Sequence, residues 1–295
     1  MLRPIPTTGQ ARVIGRDGSF PKPRPVDRIE SCGRTFFDSR AVDRFVEPPM
    51  TATRHNLHVH YSAEDYDRYT RQALQEYDDG MMRRLCQEQW LMRCAKPRLL
   101  DIGTGTAQLL IHMVQDPRFD SFELTGTDFF EDMLDEARAA VAKSGIDPSR
   151  IRLDHNDVHE MPYADDYAHL ISSRSTIHHW EDPVRAFREI YRVLRPDGVA
   201  IIHEPRRDPH PEALAEFNRR RANLGIEPAR LDEKYTPGEV VEFLKQAGIG
   251  RYSVVNAPGR GPSSMGFEVR IAKSHPMWVT LFRVLSNIRV RLLWL

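Results

Sequence analysis

Four residues between positions 101 and 128 have the types and the spacing of a small-ligand site. Asp101 ends an apolar run, and Gly103 and Gly105 follow it one residue apart. Glycine adopts backbone angles that other residues avoid, and its lack of a side chain lets a ligand lie directly on the main chain. A carboxylate just before such a turn suits a ligand with a positive charge. Asp128 ends the next β-rich segment, where a carboxylate can accept hydrogen bonds from both hydroxyls of a ribose.

Two classes of cofactor use a strand, a glycine turn and a helix in this order, and the glycine spacing separates them. A dinucleotide fingerprint reads G-x-G-x-x-G/A, and its last position falls on Gln108 in this chain. The order of an acid and two glycines resembles motif I of class I S-adenosylmethionine (SAM) methyltransferases, with Ala107 in place of the third glycine. An NAD-dependent dehydrogenase is therefore the disfavoured alternative.

Apolar runs that alternate with helical patterns predict an α/β fold around this turn. The run at residues 99–102 predicts the strand that leads into it. Further strands are predicted at residues 122–127, 151–155, 167–173, 199–203, 252–257 and 267–273. Helices are predicted at residues 62–80, 81–94, 131–143, 184–194, 211–224 and 237–248, the last with Thr236 as its N-cap.

Segments downstream of the turn resemble one protein family, in the same order along the chain. Met161-Pro162-Tyr163 resembles an L-P-F motif, and residues 175–183 resemble an L-H-H-x-x-D-P loop. Residues 192–198 resemble R-V-L-K-P-G-G, with a predicted turn at 195–198. These are motifs of the ubiquinone/menaquinone-type small-molecule methyltransferases, and the resemblance covers residues 98–204. It implies a Rossmann-like class I methyltransferase fold: a mostly parallel seven-stranded sheet with helices on both faces, N-terminal lid helices and a C-terminal amphipathic helix.

The resemblance also implies SAM as the cofactor and relates its parts to residues of this chain. Gly103 and Gly105 would cradle the methionyl part, and Asp101 would face its ammonium group. Asp128 would hold the ribose, and Asp157 would lie beside the adenine. The predicted cofactor site further includes Thr104, Phe129, Asn156, Val158 and Ser173.

Three side chains are candidates for a catalytic role. His178 is the candidate general base, because imidazole titrates near neutrality. The alternative, which the family pattern favours, is that His178 packs and positions its loop. Tyr61 and Tyr66 fall at the start of the predicted lid, where an aromatic face or phenol over the sulfonium stabilises a cation. The alternative for these two rings is that they only pack the lid.

The predicted reaction is SN2 transfer of the methyl group of SAM to a small molecule, with secondary metabolism as one setting. Because the cofactor supplies the activated carbon, the protein aligns the reactants and excludes water. A SAM-fold enzyme that cyclises or transfers the aminocarboxypropyl arm, releasing methylthioadenosine, is the main alternative. A non-catalytic SAM-fold partner protein is another, against which the pair of Asp101 and Asp128 argues.

Composition limits the partners of the protein. The 295 residues have a formal net charge of zero, 28% charged residues and 40% hydrophobic residues, which is typical of a soluble globular protein and does not indicate a nucleic-acid partner. The 3 cysteines show no metal-ligand spacing, which fits a cytoplasmic location. His55, His58 and His60 lie close together without a cysteine or carboxylate at matching spacing, so no metal site is predicted.

Four parts are predicted along the chain: an N-terminal arm at 1–60, lid helices at 61–96, a SAM-binding domain at 97–275 and an amphipathic helix at 276–295. The apolar face of this last helix predicts docking on the protein's own body or on a second copy in a homodimer. An interfacial membrane helix is the alternative. Three arginines in this segment argue against a membrane span.

Overall fold

The computed structural model describes residues 75–273, apart from residues 93, 224 and 226. Several predictions therefore lie outside the described residues. They are the N-terminal arm, Tyr61 and Tyr66, most of the first predicted lid helix, the three clustered histidines and the C-terminal amphipathic helix. Within the described part of the chain, no helix is long and apolar enough to cross a membrane.

A seven-stranded sheet with the order β3-β2-β1-β4-β5-β7-β6 forms the centre of the fold. The strands are β1 (Arg98–Ile102), β2 (Glu123–Asp128), β3 (Ile151–His155), β4 (Ala168–Arg174), β5 (Leu194–Pro205), β6 (Ser253–Asn256) and β7 (Gly266–Ala272). Neighbouring strands are parallel from β3 to β5, and β7 runs antiparallel to both β5 and β6. The predicted mostly parallel seven-stranded sheet is confirmed.

The helices cover both faces of this sheet. They are α1 (Gln75–Met92), α2 (Gln108–Val114), α3 (Glu131–Lys143), α4 (Pro183–Val193), α5 (Pro211–Asn223) and α6 (Pro237–Gln246). Helix α3 has the predicted bounds, and α6 begins with the predicted capping box between Thr236 and Glu239.

Two apolar cores lie on opposite faces of the sheet, because successive side chains of a strand alternate between its faces. Leu99 of β1 packs with α1, α2 and α3 in one core, and Leu100 packs with α4 and α6 in the other. Both side chains are buried. This double burial explains why β1 is a continuous apolar run, as is usual in parallel sheets.

Helix α1 differs from the prediction of a helix boundary at residue 80. It runs without a break through Gly80, where an added Cβ atom would meet no other atom within 4 Å. Beyond Gly80, buried apolar residues of α1 pack beneath β4 and β5, namely Met81, Met82 and Leu85. The described part of the predicted lid is therefore one helix that packs on the sheet.

Two arginine–glutamate pairs attach α1 to β7. Arg84 donates from Nε and Nη2 to the carboxylate of Glu268 at 2.9 Å, and Arg270 of β7 donates to both carboxylate oxygens of Glu88 at 2.9 Å. Burial raises the pKa of Glu268, but hydrogen bonds from His203 and Arg84 and the charge of Arg84 outweigh this effect and lower the pKa to about 2. These two-point pairs, of which Arg270–Glu88 is buried and Arg84–Glu268 partly buried, fix the orientation of α1 on the sheet.

The predicted turn at residues 195–198 is incorporated into a strand. Strand β5 begins at Leu194, and its pairing with β4 shifts register between Ala168 and Leu170. Asp197 has a φ of 64°, and its backbone N–H donates to the carbonyl of Lys273 at 2.6 Å. The chain therefore bends at this place while it stays hydrogen-bonded to the sheet.

Candidate active site

The glycine turn lies where β1 ends, between the carboxyl ends of β2 and β4. Gly103 and Gly105 have φ angles of 66° and 56°, in the left-handed region that favours glycine. Ala107, which replaces the third glycine of the motif, has a φ of 58° just before α2. The backbone N–H of Thr104 donates to the carbonyl of Thr127 at 2.9 Å and thereby ties the turn to β2.

A pocket opens beside this turn. It encloses about 360 Å³, including its opening to solvent. Its lining residues come from the ends of β1 and β4, from the turn and from the start of α2: Asp101, Gly103, Thr104, Thr106, Gln108, Leu109 and Arg174. The sequence predicted the first three of these as cofactor contacts, and the structure brings them together at one cavity.

Asp101 is the acidic group of this pocket. It is 4% exposed, and its Oδ1 accepts a hydrogen bond of 2.6 Å from the hydroxyl of Ser172 on the adjacent strand β4. Burial raises the pKa of Asp101 to about 6, although hydrogen bonds from Ser172 and Thr104 work in the opposite direction. A cationic group in the pocket would stabilise the ionised carboxylate that burial disfavours.

Asp128 lies at the end of β2 and binds the glycine turn directly. Its Oδ2 accepts from the backbone N–H of Gly105 at 2.9 Å, and its Oδ1 accepts from the backbone N–H of Phe130 at 3.1 Å. Burial raises the pKa of this carboxyl, against the hydrogen bonds from the backbone N–H groups. The neighbouring Phe129 ring is 48% exposed, and no other large apolar side chain of the described residues is classed as exposed.

The segment after β3 places the predicted adenine-side residues next to Asp128. The backbone N–H of Asn156 donates to the carbonyl of Asp128 at 3.1 Å. The Oδ1 atom of Asn156 is buried and has no hydrogen-bond partner among the described residues. The side chain of Asp157 is 45% exposed and accepts from the backbone N–H of His159, whereas Val158 is buried in the apolar core.

Ser173 is more deeply placed than the other predicted cofactor contacts. Its side chain is 0% exposed, and its hydroxyl donates to the carbonyl of Ile102 at 2.7 Å. The same hydroxyl lies 2.5 Å from Oγ1 of Thr176. The first bond joins the ends of β1 and β4, and the second ties the loop after β4 to the end of that strand.

His178 is held in a fully buried pair with Glu204. Its Nδ1 is hydrogen-bonded to Oε1 of Glu204, and the two side chains are 2% and 0% exposed. The other carboxylate oxygen of Glu204 accepts from the backbone N–H of Ile177 at 3.1 Å. Burial raises the pKa of Glu204 to about 8, against the charge of Lys234 and hydrogen bonds from the backbone of the loop. Glu204, near the end of β5, thus fixes the short helical turn Ile177–His179 that follows β4.

Sequence reasoning missed two residues at this edge of the sheet. Glu204 carries one sequence signal, an acid at the end of a predicted strand, and Arg174 carries none. Two arginines that follow Glu204 pair with carboxylates instead of lining the pocket. Arg206 binds Asp208 at 2.8 Å, and Arg207 binds Glu239 at 2.7 Å.

Sheet order, glycine turn and paired acids together define a nucleotide-binding α/β domain of the class I methyltransferase type. Residues 100–202 match a protein family described as "Methyltransferase domain". A protein from Methanococcus maripaludis assigned as a SAM-dependent methyltransferase has a similar structure, with a TM-score of 0.51 at 23% identity, over 72% of this chain and 92% of the other. A SAM-dependent methyltransferase from Aquifex aeolicus has a TM-score of 0.53 at 18% identity, over 72% of this chain and 100% of the other. These likenesses establish the fold.

Curated relatives resemble the central part of the chain. A demethylmenaquinone methyltransferase from Chlorobaculum parvum is 32% identical over 110 residues, which are 37% of this chain and 42% of the relative. A ubiquinone/menaquinone biosynthesis C-methyltransferase from Bdellovibrio bacteriovorus is 34% identical over 110 residues, 37% of this chain and 45% of the relative. The chain thus spans less than half of the length of these relatives. Residues 100–202 are therefore the part of the chain that resembles a methyltransferase domain.

Proposed function

We propose that this protein transfers the methyl group of SAM to a small molecule by in-line SN2 displacement. One observation carries the proposal: the Gly103–Gly105 turn brings the buried carboxylates of Asp101 and Asp128 to one edge of the sheet. The first acid lines a pocket, and the second closes the turn beside it. The family match over this region supports the same conclusion.

The residues present fit SAM, a ligand with a cationic amino acid end and a neutral nucleoside end. The carboxylate of Asp101 in the pocket wall suits an ammonium group. Because burial destabilises an unpaired carboxylate, such a partner stabilises it more than it would at the surface. The unpaired acceptor Oδ1 of Asn156 lies near Asp128, on the side assigned to the nucleoside. SAM supplies an electrophilic methyl carbon when it is bound.

The residues of the chain would bind SAM and align it with the acceptor. Asp101 would hold the ammonium group, the backbone at Gly103 and Gly105 would contact the methionyl part, and Asp128 would accept hydrogen bonds from the ribose. Asp157 and Phe129, both partly open to solvent, would line the adenine. Alignment of two reactants at near-attack distance accounts for a large share of the acceleration of such a displacement.

His178 would act on the acceptor side as a positioning residue. Its side chain is 2% exposed, and Glu204 occupies its Nδ1 atom. A general base must come within hydrogen-bond reach of the proton that it removes, which this burial disfavours. We therefore assign His178 and Glu204 to fixing the loop after β4, which borders the methionyl turn through Thr176.

The names of the curated relatives support one class of acceptor. Their names describe methylation of demethylmenaquinone, of ubiquinone and menaquinone precursors and, for a rice relative that is 32% identical over 108 residues, of a phytyl hydroquinone. Hydroquinones carry electron-rich ring carbons that attack a methyl group without a strong base. We propose a small aromatic hydroquinone or phenol as the acceptor. We further propose that the protein is cytoplasmic and forms a homodimer.

The test is a turnover assay of the full-length protein with SAM and a panel of hydroquinones, naphthoquinols and phenols, read by mass spectrometry. A product heavier by one methylene unit, together with S-adenosylhomocysteine, supports methyl transfer. Formation of methylthioadenosine from SAM alone would overturn methyl transfer and show instead that the enzyme acts on the aminocarboxypropyl arm. Binding of NAD without binding of SAM in calorimetry would overturn the cofactor assignment.

A further inference from the structure

We propose that Arg174 binds the carboxylate of the methionyl end of SAM, opposite the ammonium group that Asp101 holds. This inference rests on the proposed function, because it assigns a contact within that cofactor site. It adds a specificity-determining residue that neither the motif nor the spacing of the chain indicates. The pocket would then recognise a free amino acid zwitterion and not only an adenosyl group.

The position of Arg174 follows from the register of the sheet. Ile102 of β1 pairs with Ser173 of β4, so the residues that come next along the chain, Gly103 and Arg174, are neighbours at this edge of the sheet. Arg174 is the last residue of β4 and lines the same pocket as Asp101 and Gly103. Arg174 therefore belongs to the wall that the methionyl part would contact.

The backbone around Arg174 is fixed on both sides. Ser173 is hydrogen-bonded to Ile102, and the following Ser175 has a φ of 58° with its N–H donating to the carbonyl of His203 at 2.8 Å. Arg174 itself pairs with His203 in the β4–β5 ladder. Because the backbone is fixed, ligand binding would cost only the rotamer freedom of the side chain, and a site on a rigid element holds its geometry better than one on a loop.

The charges of the pocket match those of an amino acid. Among the seven described residues that line it, Asp101 and Arg174 carry the formal charges, one negative and one positive. An α-amino acid presents an ammonium and a carboxylate on the same carbon. A guanidinium binds a carboxylate through two parallel hydrogen bonds, which gives the contact both strength and geometric specificity.

The test compares SAM with decarboxylated SAM, which keeps the amine, sulfonium and nucleoside and lacks the carboxylate. Dissociation constants of both ligands are measured by calorimetry for the parent protein, Arg174→Gln, Arg174→Lys and the control Arg138→Gln, which removes an exposed arginine of α3. We expect Arg174→Gln to weaken SAM about 10–100-fold and decarboxylated SAM less than about twofold, since a charge-assisted bond contributes roughly 1.5–3 kcal/mol. Arg174→Lys should recover part of the loss, and Arg138→Gln should change neither ligand.

The outcomes separate this inference from the proposed function. Equal weakening of both ligands in Arg174→Gln would mean that Arg174 supports the pocket without contacting the carboxylate, and unchanged SAM affinity would overturn the inference as well. In either case the parent protein would still bind SAM. Failure of the parent protein to bind SAM would instead overturn the proposed function. If Arg174→Gln does not fold, Arg174→Met takes its place, because methionine keeps an aliphatic stem and removes the charge; a ratio of the two dissociation constants equal to that of the parent then excludes the contact.

Discussion

The backbone N–H of Gly105 donates a hydrogen bond of 2.9 Å to Oδ2 of Asp128. The two residues are 23 positions apart and belong to the two halves of the predicted cofactor site. Because Oδ1 of the same carboxylate accepts from Phe130, Asp128 orders both the glycine turn and the start of the segment after β2. The side chain that would bind the ribose in the proposed function therefore also orders the turn.

Replacement of Asp128 by Asn tests this side chain with little change of shape. We expect SAM affinity to fall about 10–100-fold, because neutral hydrogen bonds to the ribose and to Gly105 replace charge-assisted ones that are about twice as strong. Calorimetry measures the loss, and the exposed Asp120→Asn serves as the control. A folded Asp128→Asn protein with parent-like affinity would remove Asp128 from the site.

The pH dependence of SAM binding should report on Asp101. Burial raises the pKa of its carboxyl to about 6, so the free protein carries a neutral Asp101 below that pH. Binding of the ammonium group requires the ionised form and must then release a proton. SAM affinity should consequently be flat above about pH 6 and fall toward tenfold per pH unit below it.

Two controls isolate this effect in calorimetric titrations between pH 5 and 8. Adenosine lacks the ammonium group, so the ratio of its affinity to that of SAM cancels any contribution of Asp128. In Asp101→Asn the ratio should no longer change with pH. A ratio that is constant with pH in the parent protein would show that Asp101 does not face a cation.

Gly103→Ala should disrupt the turn by two separable effects. The φ of 66° strains any residue with a side chain, and the new Cβ would lie 2.3 Å from Cγ2 of Thr176. Gly145 is the matched control: its φ is 75°, and a Cβ there meets nothing within 4 Å. Gly145→Ala should cost only the strain of about 1 kcal/mol.

The expected order of thermal stability is therefore parent, Gly145→Ala, then Gly103→Ala, with SAM affinity lost in the last variant alone. The second substitution Thr176→Ser removes the clashing methyl group and keeps the hydroxyl that meets Ser173. It should restore part of the stability and affinity of Gly103→Ala. Equal melting temperatures of the two alanine variants would contradict the close contact with Thr176.

His178→Asn distinguishes a general base from a positioning residue. The burial of His178 and its bond to Glu204 lead us to expect a lower melting temperature, a less than tenfold loss of turnover and a flat pH profile near neutrality. A general base would give a loss of about 10²–10⁴-fold and a rate that falls as the imidazole protonates. The control for stability is His169→Asn at the opposite end of β4, where Nδ1 of His169 accepts from the backbone N–H of Arg98.

Glu204→Leu tests the other half of the pair. Leucine offers no hydrogen-bonding group to the backbone N–H of Ile177 or to the His178 ring, whichever protonation state the pair has. We expect a loss of about 2–4 kcal/mol in the free energy of unfolding, measured by denaturant titration, because a buried donor is left unsatisfied. Parent-like stability would show that Glu204 does not fix the loop.

The order of strands and helices and the centre of the site were predictable from the sequence, because those signals are local. Apolar runs gave the strands, the Thr236 capping box gave the start of α6, and α3 has its predicted bounds. The glycines of the turn were predicted from their spacing, and their positive φ angles explain that choice. The break predicted in α1 at Gly80 was wrong, since packing of its buried face on the sheet outweighs the weak helix propensity of one glycine.

Strand pairing in the folded chain determines which polar groups meet at the carboxyl edge of the sheet. Asp101 accepts a hydrogen bond from Ser172, which is 71 residues further along the chain, and Glu204 is hydrogen-bonded to His178, 26 residues before it. Arg174 joins the pocket because the register of β1 with β4 places it beside Gly103. Such contacts depend on strand pairing and on the exact residue at which each strand ends. Neither strand pairing nor the exact strand end can be read from local composition, so the spacing of residues in the sequence did not predict these contacts.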